Sequence, residues 1–133
     1  LHWVVKSITP KEIDRINILQ ASLKAMYQCI QELEIEPELI LVDGNRRIPL
    51  LTLNQKTIIK GDGIYQSIAA ASILAKTHRD EYMQKIHKKH PEFHWNQNKG
   101  YPTEVHRLAI QEFGLTSYHR KTFCTNLIEN SLF

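Results

Sequence analysis

Leu39 to Lys76, LILVDGNRRIPLLTLNQKTIIKGDGIYQSIAAASILAK, is the stretch whose reading decides the fold. Four apolar residues, Leu39 to Val42, run into Asp43-Gly44, and a second β-branched run, Thr57 to Ile59, runs into Lys60-Gly61-Asp62-Gly63. Short apolar runs bounded by turn residues read as strands buried on both faces of a sheet. Open α/β sheets bind their ligands beyond the strand ends, which brings Asp43 and Asp62 to one edge. Two carboxylates held close repel each other unless a cation or a shared proton offsets the charge. A hard divalent cation, Mg2+ or Mn2+, meets that need. Taken singly, either Asp-Gly pair is adequately explained as a turn. Together, each ending a strand beside glycines that admit a ligand to the backbone, they favour a metal. Two carboxylates still make a thin site, because two-metal centres gather more oxygens than these supply.

Upstream, Leu1 to Val5 has the pattern of a strand. Thr9 then fits an N-cap, Pro10 the first helical position and Glu12 the reciprocal side of a capping box. Ile16, Leu19, Leu23, Met26, Ile30 and Leu33 mark the apolar stripe of one helix that ends before Pro37 and covers the sheet. Strand, helix, strand is the unit that takes a right-handed crossover and gives parallel neighbours. Downstream of Asp43, Arg46, Arg47 and Pro49 mark an exposed loop. A second long helix is predicted from Tyr65 to Lys89. Its small, apolar first half, Ile68 to Ala75, lies close against the sheet, and its charged second half, from Lys76, faces solvent. Pro91 to Lys99 reads as an aromatic and polar loop. Thr103 caps a shorter helix with Leu108, Ala109 and Phe113 inward and Gly114 as its left-handed stop. The tail from Ser117 to Phe123 mixes cations, hydroxyls and aromatics before a last helical turn or two.

With 133 residues, 42% hydrophobic and 23% charged, the chain has the composition of one folded domain, residues 1–133. No apolar run approaches the length of a membrane span, and the expectation is a soluble, cytoplasmic protein. Cys29 and Cys124 lack any paired spacing and read as free thiols. The net charge of +3 is unevenly placed. Residues 1–64 carry eight Lys/Arg against eight Asp/Glu, whereas residues 65–133 carry nine against six and six of the seven histidines. Such a basic half fits a polyanion along one face.

Lys60, Ser67, Ser72 and Lys76 surround the start of the second long helix, where free N–H groups and the helix dipole favour a phosphate. The plainer role for the serines is close helix packing, and for Lys76 solvation. Arg79-Asp80 reads as a structural ion pair along the helix surface. His87, His90 and His94 are near in sequence, but Pro91 interrupts their path and Lys88 and Lys89 repel a cation, so a metal there is disfavoured. Lys99-Gly100-Tyr101-Pro102-Thr103 presents an aromatic ring in a tight turn before a helix, suited to stacking on a sugar or base. His119-Arg120-Lys121 reads either as a phosphate-facing stripe or as a solvated tail.

As a set, EIDRINILQASLKAM (Glu12 to Met26), LVDGN (Leu41 to Asn45), IIKGD (Ile58 to Asp62), SIAAASILAKTHRD (Ser67 to Asp80), NKGYPTEVHR (Asn98 to Arg107) and YHRKTF (Tyr118 to Phe123) resemble ribonuclease HII, the type 2 ribonuclease H family, in order and spacing. The resemblance covers nearly the whole chain. It implies a ribonuclease H-like α/β fold, a mixed sheet flanked by helices, of which residues 1–133 form the C-terminal two-thirds with its helical region. It implies an endonuclease that hydrolyses the RNA strand of RNA/DNA hybrids and cuts at ribonucleotides embedded in duplex DNA, leaving 3'-hydroxyl and 5'-phosphate ends. It further implies two-metal chemistry with Mg2+ or Mn2+ held by four acidic residues, two of which match Asp43 and Asp62. Tyr101 stands at the family tyrosine that packs on the sugar beside the ribonucleotide. Arg46, Lys60, Ser67, Lys76, Lys99 and Arg120 complete the candidate nucleic-acid contacts. The family's opening strand, with GxDEAGRG, has no counterpart here. The expectation is therefore an N-terminally truncated portion of a longer protein, monomeric at full length, with residues 1–133 alone cutting little or nothing. Its main rival is a non-catalytic remnant that grips nucleic acid through Arg46, Lys76, Lys99, Tyr101 and Arg120. A metal-dependent phosphotransferase acting on small substrates is a third reading.

Overall fold

The structure, a computed structural model, describes residues 1–129, which fall into two compact units. The first comprises Leu1–Ile8 and Ile16–Lys76, the second Thr9–Arg15 and the chain from Thr77 onward.

In the first unit, β1 (Ile40–Asp43) and β2 (Gln55–Ile58) pair in parallel, Ile40 opposite Gln55 and Asp43 opposite Ile58. Ile40 and Val42 point inward with Ile48, and Met26, Tyr27, Ile30, Leu51 and Leu53 pack around them. Of the mixed sheet expected, the described residues supply this parallel pair. β2 starts and ends earlier than the run Thr57–Ile59 predicts, and Ile59 is exposed. The link between the strands is a loop, as predicted, but Ile48 within it is buried. The cause is Gln55. Its side-chain oxygen accepts from the Ile48 amide at 2.8 Å, and its nitrogen donates to the carbonyls of Ile48 at 3.0 Å and Leu51 at 3.4 Å. With that backbone satisfied, Ile48 can enter the core.

Leu1–Val5 is not a strand among the described residues, because a strand needs a ladder partner and here the ladder joins β1 to β2 alone. The segment is held by a contact of His2 Nδ1 with the Glu34 carboxylate at 3.1 Å and by an ion pair from Lys6 to Glu32. The single helix expected after it is two, α1 (Pro10–Ile16) and α2 (Ile18–Gln31). Asn17 breaks it with φ 69°, a conformation Asn tolerates, and caps α2 by accepting from the Gln20 amide at 3.0 Å. Thr9 accepts from the Glu12 amide at 3.3 Å, the first half of the predicted capping box.

α3 spans Gln66–Lys89, within one residue of its predicted limits. Ile68 is buried, but Ala70, Ala71, Ser72 and Ile73 are exposed, so the close packing predicted for this half stops after its first turn. Neighbouring strands lie about 4.8 Å apart, so a two-stranded sheet offers little width for a helix to cover.

The second unit reverses another expectation. Pro91–Lys99, read as a loop, is the centre of its core: a 3-10 turn, Pro91–Phe93, followed by α4 (Trp95–Asn98). Phe93 is 1% exposed and Trp95 2%, stacked with ring centroids 5.0 Å apart. Met83, Ile86, Ala109, Ile110 and Cys124 surround them. The turn holds because Asn98, itself buried, donates to the Phe93 carbonyl at 2.7 Å. α5 (Glu104–Phe113) is capped by Thr103, whose hydroxyl accepts from the His106 amide, and it stops at Gly114 with φ 79°, as predicted. Its inward face is His106, Ala109 and Ile110; Leu108 and Phe113 are exposed. The polar His106 occupies the core stripe because its Nδ1 meets the Phe93 carbonyl at 3.1 Å.

His119 is also buried, 6% exposed, with its ring stacked on His106 at 5.3 Å. The Thr116 amide donates to its Nδ1 at 3.0 Å, which puts the ring proton on Nε2, and that buried atom has no partner among the described residues. A 3-10 turn, Lys121–Phe123, and α6 (Thr125–Glu129) follow, which is the predicted last helical turn; residues 130–133 lie outside the described residues. Asp14 of α1 accepts from the Lys121 amide at 2.9 Å, the Thr122 amide at 3.0 Å and the Thr122 hydroxyl at 2.6 Å. Burial works to raise the Asp14 carboxyl, but these hydrogen bonds outweigh it and hold the group below its ordinary range. Cys29 and Cys124 are free thiols, both pushed up by burial.

Candidate functional site

β1 ends in Asp43, and the amide of Gly61 donates to its Oδ1 at 2.8 Å. Gly61 opens the 3-10 turn Gly61–Gly63 that carries Asp62 just beyond β2. The parallel register explains the meeting. Asp43 pairs with Ile58, and the Gly44 amide donates to the Ile58 carbonyl at 2.9 Å, so both chains leave the sheet at one end. Asp43 and Asp62 are both exposed. Among the described residues no group of three or more His, Cys, Asp or Glu is placed to hold a metal.

The turn is tightly fitted. A Cβ at Gly61 would lie 2.5 Å from Ile68 Cδ1 and 3.5 Å from Asp43 Oδ1, so only glycine passes between the carboxylate and the first turn of α3. Lys60 precedes it in the left-handed region at φ 55°, with its side chain exposed. Ser67 in the first turn of α3, Lys76 at the end of this unit's share of the helix, and Arg46 in the loop after Gly44 are all exposed. These residues share the first unit with Asp43 and Asp62.

Tyr101, Lys99 and Arg120 belong to the second unit. Tyr101 is 71% exposed in a turn made by Lys99 (φ 51°) and Gly100 (φ 84°). Asn98 stiffens that turn by accepting from the Gly100 amide at 2.8 Å, and Arg79 braces it by donating to the Lys99 carbonyl at 3.2 Å. The guanidinium of Arg120 lies 3.9 Å above the ring of Phe123; burial, then the nearby Arg79, weaken its hold on the proton. The Lys121 and Thr122 amides are taken by Asp14 and so are closed to a phosphate. Gly61, Gln55 and Arg79 went unrecognised as positioning residues in the sequence. Gly61 alone left a trace, as the small residue directly before Asp62.

The architecture matches a solved archaeal protein. The ribonuclease H2 from Pyrococcus horikoshii superposes with a TM-score of 0.75 at 24% identity, over 93% of this chain and 67% of that one, which defines the class as a ribonuclease H-like α/β fold. The profile of the Ribonuclease HII family matches residues 3–126. Curated relatives named Ribonuclease HII include one from Parabacteroides distasonis, 55% identical over 91% of this chain, and one from Phocaeicola vulgatus, 56% identical over 92%. This chain belongs to the Ribonuclease HII family. It spans about 61% of the length of those two relatives.

Proposed function

We propose that this chain is the portion of a divalent-metal-dependent endonuclease that carries Asp43 and Asp62 as two of its metal ligands. The enzyme hydrolyses the RNA strand of RNA/DNA hybrids and cuts at ribonucleotides in duplex DNA, leaving 3'-hydroxyl and 5'-phosphate ends. One observation carries the reading: the 2.8 Å hydrogen bond from the Gly61 amide to Asp43, which ties the end of β1 to the turn bearing Asp62. Family membership supports the substrate class.

The donor chemistry fits Mg2+ or Mn2+, hard ions that take carboxylate oxygens and keep bound water. The hydrogen bond from Gly61 to Oδ1 orients the Asp43 carboxylate and leaves Oδ2 without a hydrogen bond among the described residues. Asp43 and Asp62 would hold such an ion, which would supply the Lewis acidity that activates a water and offsets charge at the leaving oxygen. Lys60, Lys76 and Arg46 neutralise backbone phosphates from the first unit, and the Ser67 hydroxyl donates a hydrogen bond to one. Lys99 and Arg120 do so from the second, where Tyr101 packs on a sugar. Both units belong to one catalytic domain of a monomeric, cytoplasmic protein. Because two carboxylates supply few of the six oxygens Mg2+ takes, residues 1–133 alone cut slowly or not at all.

The test is a chimera in which residues 1–133 replace the matching part of the Parabacteroides distasonis relative, assayed on a single-ribonucleotide duplex. Metal-dependent cutting that falls at least about 100-fold in Asp43→Asn or Asp62→Asn supports the reading. Cutting that survives either substitution overturns it. Tight binding without cutting favours the non-catalytic grip instead, a reading that the absence of a third metal-binding group among the described residues keeps open.

A further inference from the structure

The charged second half of α3 carries a pattern that the candidate site does not use. Tyr82, Lys85 and Lys89 recur at spacings of three and four, which places them within about 60° of the helix circumference. Met83 and Ile86, between them, face the core. Tyr82 is 47% exposed. Its ring meets Tyr118 edge-on at 6.5 Å, and Lys89 Nζ lies 3.4 Å from the Tyr118 hydroxyl. Burial and the neighbouring Tyr118 raise the Tyr82 hydroxyl, so it stays a donor at neutral pH. Lys85, Lys88 and Lys89 are exposed, and among the described residues none forms a salt bridge, not even Lys85 with Glu81 one turn earlier. Cations also suit a helix C-terminus, but the dipole asks for no aromatic rings beside them.

We infer that Tyr82, Tyr118, Lys85, Lys88 and Lys89 form a backbone-tracking contact for nucleic acid, in which the lysines neutralise successive phosphates and the tyrosines pack against sugar or an unstacked base. Lysines without carboxylate partners, set beside aromatic rings, are the two components of a sequence-independent nucleic-acid groove. The contact rests on the proposed function only in taking nucleic acid as the partner, and it needs neither Asp43 nor Asp62.

Fluorescence anisotropy of residues 1–133 with a labelled RNA/DNA hybrid, in EDTA and over a range of salt, tests it. Replacing Lys85, Lys88 and Lys89 together by Gln lowers affinity by about tenfold or more and flattens the slope of log K against log salt by about 2 to 3. The triple Lys→Arg variant restores both. Tyr82→Ala weakens binding roughly fivefold or more at constant salt slope. Helix stabilisation by the lysines would change thermal unfolding without moving the salt slope, so an unchanged slope overturns the contact, as does an absence of hybrid binding at low salt. Loss of cleavage in the chimera bears only on Asp43 and Asp62, and binding in EDTA separates the two readings.

Discussion

Acidification destabilises the second unit through His119. Burial, then the charge of the neighbouring His106, lowers its pKa from 6.5 to about 4 in the folded chain. His90, which meets Glu92 at 3.2 Å, also opposes a charge there. Thr116 works the other way. The unfolded chain therefore binds a proton that the folded chain refuses. The stability contributed is full above pH 6.5, declines as pH falls from 6.5 towards 4, and is lost below that. At 1.36 kcal/mol per pKa unit the whole effect is about 3 kcal/mol, of which about 2 kcal/mol has gone by pH 5. His106, lowered by burial, adds in the same direction. The assay is urea unfolding followed by Trp95 fluorescence in a Trp3→Phe background, at a series of pH values from neutral to mildly acidic. His119→Asn keeps an acceptor for the Thr116 amide but cannot titrate, so its pH slope is shallower by about that amount. Equal slopes in the two chains, or a parent curve flat through this range, refute the reasoning.

Three further outcomes follow from packing and hydrogen bonding. Phe93→Ala opens the centre of the second core and costs about 3 to 5 kcal/mol in urea unfolding. Gly61→Ala drives Ile68 out of its position and costs about 1 to 3 kcal/mol, and Ile68→Val in the same chain recovers part of it. Gln55→Ala strands the Ile48 amide and carbonyl, costs about 1 to 3 kcal/mol, and raises amide exchange at Ile48.

The sequence carried the parallel strands, the carboxylate at the end of β1 and the limits of α3, because apolar runs and turn residues record local geometry directly. It did not carry the core of the second unit. Phe93 and Trp95 alternate with exposed His94 at the spacing of a strand, yet His94 is left-handed and no strand forms, so their shared burial follows from a turn that the period does not reveal. His106 is missing from the predicted inward face of α5 because a polar residue on a core stripe looks out of place until the Phe93 carbonyl that meets it is known. The two-way grip of Gln55 on Ile48 depends on a loop closing back on itself, and the brace from Arg79 to Lys99 spans 20 residues. Neither leaves a periodic trace.

Asp14 and the amides it holds are separated by 107 and 108 residues. At a synthesis rate of roughly 5 to 20 residues per second, that carboxylate is made about 5 to 20 seconds before its partners exist. Asp14 of α1 must then wait without these partners while the intervening chain is made. Assembly of the second unit is in this respect a late event of translation, and a ribosome stalled before Lys121 would hold a nascent chain whose second unit has not closed.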